Sequence, residues 1–232
     1  MSEILKLNSL EKRFGSNMAL HNVNLSIESG KIVGLLGPNG SGKTTLLKIA
    51  NGLLQPTSGE ILIGGEKPGV ETKSMVSYLP ERTYINNWMR AKDLLDFFGD
   101  FYADFDRSKA VDMLSSLGIE PNTKLKEMSK GTKEKVQLVL VMSRQAKLYL
   151  LDEPIGGVDP AARDYILNTI ISNYNENSTV IISTHLIQDV EKLFDEVIFL
   201  SKGEVLFHDS VDNVREKNGK SIDQLFREVT SY

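Results

Sequence analysis

Between residues 37 and 45 the chain reads Gly37-Pro38-Asn39-Gly40-Ser41-Gly42-Lys43-Thr44-Thr45. Glycines alternate with small polar residues and are followed by a lysine and two hydroxyls. The spacing is that of a phosphate-binding loop, G-x-x-x-x-G-K-[ST]. Glycines let the backbone fold into a concavity whose N–H groups point at phosphate oxygens. A helix starting at the lysine adds its positive N-terminal dipole. In this reading Lys43 reaches the outer phosphates of a nucleotide and the Thr44 hydroxyl ligates Mg2+. A glycine turn that merely caps a helix is the blander alternative. The apolar strand before the loop and the helical segment after it favour phosphate.

A second run, Leu148-Tyr149-Leu150-Leu151-Asp152-Glu153, is apolar and ends in two carboxylates. That is the pattern of a buried strand delivering acids at its C-terminal end, where open α/β sheets bind ligands. Asp152 is expected to hold Mg2+ through its water shell, and Glu153 to polarise an attacking water. Alone, Asp-Glu after a strand is a solvated strand end. Beside a phosphate loop it points to nucleotide hydrolysis.

These groups need a scaffold, and the sequence predicts an α/β one. Val23, Leu25 and Ile27 alternate with polar residues, as do Ile61 and Ile63, which predicts half-buried strands near the N-terminus. Lys31–Leu36 reads as a strand entering the glycine loop, with a helix from about Lys43. From about Arg82 the chain becomes aromatic, charged and helical in rhythm, with turns expected at Gly99 and at Gly118-Ile119-Glu120-Pro121. Strand–helix alternation then returns at Leu148–Leu151, after Pro160, at Val180–Ser183 and at Val197–Leu200. Such alternation implies a parallel sheet with right-handed crossovers. A hairpin at Ser201-Lys202-Gly203-Glu204 leads to Val205–Phe207 and two short helices.

Composition narrows the function classes. At 232 residues, with 41% hydrophobic and 25% charged residues, the chain matches an ordinary soluble globular protein with one full core. A net charge of -4 argues against nucleic acid as the main partner. The absence of cysteine excludes disulfides, thiolate metal sites and cysteine nucleophiles, and fits a reducing cytosol. The apolar runs are strand-length, short of the roughly 20 residues a spanning helix needs. The segment Met1–Lys6 lacks the pattern of a secretory signal. Membrane work would therefore require a separate anchor.

The order and spacing of the phosphate loop, Leu150-Leu151-Asp152-Glu153-Pro154, Gly156-Gly157-Val158-Asp159 and Ser183-Thr184-His185 resemble those of ABC ATPases over essentially the whole chain. The resemblance implies a P-loop NTPase (RecA-like) core with a mostly parallel sheet and an N-terminal antiparallel β subdomain. Residues 1–81 and 146–232 would form the ATP-binding core, and residues 82–145 an inserted α-helical subdomain. It also implies that Phe14 stacks on adenine, with a strand-end core phenylalanine as its alternative. His185 looks like the switch histidine that contacts the γ-phosphate. Asp159 resembles a residue that signals across a dimer interface, and before Pro160 it is also good helix-start chemistry.

Two positions depart from the family pattern. The signature segment, normally Leu-Ser-Gly-Gly-Gln, is Met128-Ser129-Lys130-Gly131-Thr132 here. Ser129 and Gly131 occupy the positions expected to meet the γ-phosphate of an opposite subunit, and Lys130 replaces a glycine. The glutamine expected after Tyr78-Leu79-Pro80 is Glu81, which can approach Mg2+ or accept from water but cannot donate when ionised. Both variants resemble drug and antibiotic exporters of the ABC-2 type.

The resemblance thus implies an ATP-hydrolysing transporter subunit using ATP and Mg2+. It would form a head-to-tail dimer with a second ATPase subunit, identical or different. Its other partner would be a transmembrane permease, bound at the cytoplasmic face of the cell membrane. Tyr84-Ile85-Asn86-Asn87-Trp88-Met89 is a candidate permease contact, the alternative being that these residues pack the insertion's own core. The competing class is a non-transport ABC ATPase acting on ribosomes or DNA. A single phosphate loop and a short insertion without sustained heptads argue against it. No Asn/Thr-Lys-x-Asp motif is present, as a GTPase would need.

Overall fold

The computed structural model describes residues 2–158, 160–175 and 177–230. Its first part contains β1 (Glu3–Phe14), β2 (Asn17–Glu28), β3 (Ile32–Leu36), α1 (Lys43–Ala50), β4 (Ser58–Ile63), α2 (Val70–Met75) and β5 (Val76–Leu79). Helices α3 (Ala91–Phe101), α4 (Arg107–Ser116) and α5 (Lys130–Met142) follow. The remainder is β6 (Leu148–Asp152), α6 (Pro160–Asn173), β7 (Thr179–Thr184), α7 (Ile187–Val190), β8 (Glu196–Ser201), β9 (Glu204–Ser210), α8 (Val211–Asn218) and α9 (Ile222–Thr230).

Among the described residues the strands form two sheets. One is antiparallel, in the order β2-β1-β4; the other has six strands in the order β5-β6-β7-β3-β8-β9. In the larger sheet only β9 runs antiparallel, beside β8 at one edge. Every residue of β3, β6 and β7 is buried, which is why these strands read as continuous apolar runs: a central parallel sheet is covered on both faces. Their residues divide by parity between the two covers. Val33, Leu35, Leu148, Leu150 and Ile181 join the core shared with α1, β1, β2 and β4. Ile32, Leu36, Tyr149, Leu151, Val180 and Ile182 join the core shared with α3, α4, α5 and α6.

The helical segment thus has no separate core. On α3 the residues Ala91, Leu94, Leu95 and Phe98 are buried. Gly99 lies inside that helix, not at the expected turn. The apolar face outweighs the roughly 1 kcal/mol that a mid-helix glycine costs, and the Asp93 carboxylate accepts from Arg90 N at 2.8 Å to start the helix. Arg144 ties the segment to the sheet. Its guanidinium is 3% exposed, donates to the carbonyls of Val76 and Ser74 and to both oxygens of Asp104, and lies 3.9 Å from the Tyr102 ring. A charge so buried is tolerated because every arm has a partner.

Two strands carry no clear sequence pattern. In β1, Leu5, Leu7 and Leu10 are buried, but the pairing with β2 shifts register between Leu7 and Leu10. Ser9, at φ 45°, takes up the extra residue and breaks the two-residue period. β5 has only four residues, too few for periodicity to distinguish. No described helix is long and apolar enough to cross a membrane.

Candidate functional site

The site lies at the C-terminal ends of β3, β6 and β7, which are neighbours in the larger sheet. β3 delivers Gly37, where a Cβ would come within 2.3 Å of the Leu200 carbonyl oxygen. The loop turns at Gly42, whose φ of 111° favours glycine. A Cβ there would also lie 2.6 Å from the Ala19 carbonyl oxygen. No side chain caps α1 and no acid sits in its first turn, so its N-terminal N–H groups and dipole are available to an anion. A Cβ at position 37 would push the loop away from β8, and one at position 42 would push it away from β2.

Lys43 is 5% exposed. Its Nζ donates to the carbonyl oxygens of Gly37 and Pro38, at 2.8 and 3.3 Å, and pairs with Glu153 Oε1 at 3.3 Å. Beside it, Thr44 Oγ1 donates to Asp152 Oδ1 at 3.2 Å. Asp152 is 1% exposed, and its Oδ2 has no hydrogen-bond partner. Burial raises its pKa above the ordinary carboxylate value; hydrogen bonds from Ser183 and Thr44 oppose that rise, and the charges of Glu81 and Glu153 add to it. The Ser41 hydroxyl is likewise buried without a partner. Buried polar atoms are almost always paired; Tyr78 Oη and Gln137 Oε1 also lack a partner among the described residues, and the two orphans beside the loop suit a ligand that supplies the missing contacts.

Glu153 follows directly and adopts φ 49°, a left-handed conformation uncommon for a residue with a side chain. Its amide donates to Ser183 O at 3.1 Å and to Ser183 Oγ at 3.0 Å. The carboxylate, 9% exposed, also meets His185 Nδ1, at 3.1 Å from Oε2. An ionised carboxylate only accepts, so Nδ1 carries the proton in this contact.

A cleft of about 1050 Å³ opens above these groups. Phe14, Asn39, Gly40, Ser41, Gly42, Lys43, Thr44, Thr45, Glu81, Glu153 and His185 all line it. Phe14 is 47% exposed at the end of β1, so it is not the core phenylalanine that was the alternative. Lys12 Nζ lies 5.0 Å from the Phe14 ring centroid and donates to the Gln55 carbonyl oxygen, a contact nothing in the sequence signalled. Lys130 reaches the cleft wall, whereas Ser129 and Gly131 do not line it. They sit at the exposed start of α5, where Ser129 Oγ accepts from Thr132 N at 3.1 Å. Asp159 lies outside the described residues. Ser183, quoted above only as part of Ser-Thr-His, bonds both acids; its signal was its place two residues before His185.

Nucleotide phosphates fit the loop, and the donors fit a divalent cation shared with them. Among the described residues no group of three or more His, Cys, Asp or Glu could hold a metal ion. One buried carboxylate with a bare oxygen next to a hydroxyl suits Mg2+, which is usually held by one or two protein ligands together with phosphates and water.

Comparison with known proteins identifies the family. The sequence model of a family described as ABC transporter matches residues 20–156 of the chain. The chain belongs to the ABC transporter ATP-binding family. It is 31% identical over 217 residues to the ABC transporter ATP-binding protein YtrB of Bacillus subtilis, covering 92% of this chain and 74% of that one. To the lantibiotic transport ATP-binding protein SrtF of Streptococcus pyogenes it is 30% identical, covering 92% of this chain and 95% of that one. A solved ATP-binding subunit of an ABC transporter superposes with a TM-score of 0.87 at 28% identity, over 98% of this chain and 99% of that one. The dimeric structure of MJ0796, a bacterial ABC transporter cassette, gives 0.78 at 25% identity, over 89% of this chain and 98% of that one. As an ABC ATPase domain this is a P-loop nucleotide-binding hydrolase, and its mostly parallel sheet with an antiparallel N-terminal sheet is the expected architecture.

Proposed function

We propose that this ABC ATPase drives a separate membrane permease in the direction of export, working at the cytoplasmic face as a head-to-tail pair. Two copies, or this chain and a second ATPase, would each supply Ser129 and Gly131 to the other's phosphate loop, with Asp159 at the interface. The observation that carries the ATP chemistry is the buried Asp152, with Oδ2 unpartnered beside Thr44 and the glycine loop. In this reading Thr44 and Asp152 hold Mg2+, with Glu81 near enough to contribute charge, and Phe14 stacks on adenine. The cation would neutralise charge on the phosphates. Residues 37–45 bind and orient the phosphates through backbone N–H groups and Lys43. Glu153 takes the proton of the attacking water once Lys43 has exchanged its carboxylate for phosphate. Because Glu153 occupies Nδ1–H of His185, a phosphate contact donated from Nε2 requires the imidazolium.

The transport reading is supported by surface and by kinship. Trp88 is 70% exposed and Tyr84 51%, whereas Ile85 is buried and Met89 packs on the core. Phe97 and Phe101 stack on the outer face of α3 with ring centroids 4.6 Å apart. Exposed aromatics of this kind suit a protein contact. SrtF is named for lantibiotic transport, and the 28% identical LnrL of Bacillus subtilis for linearmycin resistance. Residues 82–145 would act as the insertion that couples this surface to the nucleotide. The test is to tag the chain in its native cell, extract membranes gently and identify what co-purifies. A stoichiometric multi-span membrane protein is expected. Recovery only from the soluble fraction with ribosomes or DNA would overturn the transport reading and leave the ATP chemistry standing.

A further inference from the structure

One buried hydroxyl touches both acids. Ser183 is 0% exposed near the end of β7, and the parallel register sets it opposite Asp152 of β6. Its Oγ lies 2.6 Å from Asp152 Oδ1 and 3.0 Å from the Glu153 amide nitrogen. Chemistry fixes the direction of each bond. An amide N–H only donates and an ionised carboxylate only accepts, so the hydroxyl gives its single proton to Asp152 and receives the amide proton on a lone pair. Both contacts matter to their recipients. Asp152 would otherwise keep only the longer bond from Thr44, at 3.2 Å. Glu153 is held in a left-handed conformation by an amide that donates to the main chain and the side chain of this same serine. The neighbouring hydroxyl is engaged elsewhere: Thr184 Oγ1 accepts from Leu186 N at 3.0 Å, where the chain turns beyond His185.

We infer that Ser183 is a positioning residue that locks the side chain of Asp152 and the backbone of Glu153 into one rigid unit. The metal-binding acid and the water-polarising acid then keep a fixed separation while nucleotides come and go. This rests on the roles proposed above for the two acids. Alanine removes donor and acceptor together; cysteine keeps the side-chain shape, slightly enlarged, with a much weaker donor.

The test measures ATP affinity of the full chain in Mg2+ and in EDTA, for Ser183→Ala, Ser183→Cys and Asp152→Asn, with ATP turnover and thermal unfolding alongside. Ser183→Ala is expected to reduce the Mg2+-dependent gain in ATP affinity by about 10-fold, and kcat by about 10- to 100-fold, the usual range for a residue that orients a metal ligand. Affinity in EDTA and the unfolding temperature should be preserved, and Ser183→Cys should resemble alanine. If Asp152→Asn loses the Mg2+ effect while both serine variants keep it, the inference is overturned and the site reading survives. If Asp152→Asn keeps it too, the site reading fails and takes the inference with it. If Ser183→Ala unfolds or loses affinity in EDTA while Ser183→Cys is fully active, Ser183 is only packing and the inference is overturned.

Discussion

The phosphate loop with its two acids and the start of α5 with its neighbouring aromatic surface are built on opposite logics. In the first, Lys43, Asp152 and Ser183 are buried and Glu153 is half-buried, all bonded to one another or to the loop itself. In the second, Ser129, Lys130 and Gly131 are exposed, as are Tyr84, Trp88 and Phe101. Ser129 caps its own helix, and Lys130 pairs only loosely with Glu134, at 3.7 Å. Most polar groups of the inner region find partners within the chain, Asp152 Oδ2 and the Ser41 hydroxyl excepted, whereas those of the outer region face solvent. If the proposed roles hold, the difference teaches that burial goes with the half that binds and cuts, and exposure with the half that assembles.

The largest expected effect breaks the inner region. Glu153→Gln keeps the shape but removes the base, so hydrolysis should fall by about 10²- to 10⁴-fold. ATP binding should persist, and light scattering should show a trapped dimer in saturating Mg-ATP. A variant that hydrolyses at the normal rate would remove Glu153 from the chemistry. Lys43→Ala comes next, losing a charge-assisted contact of about 1.5–3 kcal/mol. ATP affinity, measured by calorimetry, should drop on the order of 10- to 100-fold.

The outer region should respond differently. Trp88→Ala is expected to reduce recovery of the membrane partner while changing ATP affinity by less than about twofold, as for a surface substitution remote from the ligand. A joint loss of affinity and folding would mean that the two regions are not separable in this way.

The smallest effect concerns stability. Burial raises the pKa of Asp152, so the folded chain holds that proton more tightly than the unfolded chain does. The cost of the buried charge is absent below the ordinary value of 3.8, grows as pH rises towards the raised value, and is complete above it. Asp152→Asn in metal-free buffer should therefore raise Tm modestly at neutral pH, with the gain fading as the buffer is made acidic. A gain that grew on acidification would reverse the sign of this argument.

The sequence was most legible where the inner region lies, because its chemistry is local. Gly37–Thr45 and Leu148–Glu153 are short runs in which strand, turn and reactive groups are consecutive. The all-buried strands β3, β6 and β7 showed as apolar runs for the same reason. β1 escaped because its bulge at Ser9 broke the period, and Gly99 misled because a propensity of about 1 kcal/mol was set against a packed face. The bond from Lys12 to the Gln55 carbonyl, the partners of Arg144 and the contact of Ser183 with Asp152 join residues far apart in the chain, and no local pattern announces them. Residue types and spacing point to the candidate site residues; which of them meet within one chain is visible only in the fold.

The ion pair between Lys43 and Glu153 has a further consequence for affinity. An ammonium group on the surface must shed water each time it binds an anion, and that dehydration weakens the complex. Here Nζ is already withdrawn from solvent and held by two carbonyls and a carboxylate. A phosphate arriving there as proposed would exchange places with one of these partners and meet no hydration shell on Nζ. The dehydration of this cation took place once, when the chain folded, and need not recur from one turnover to the next.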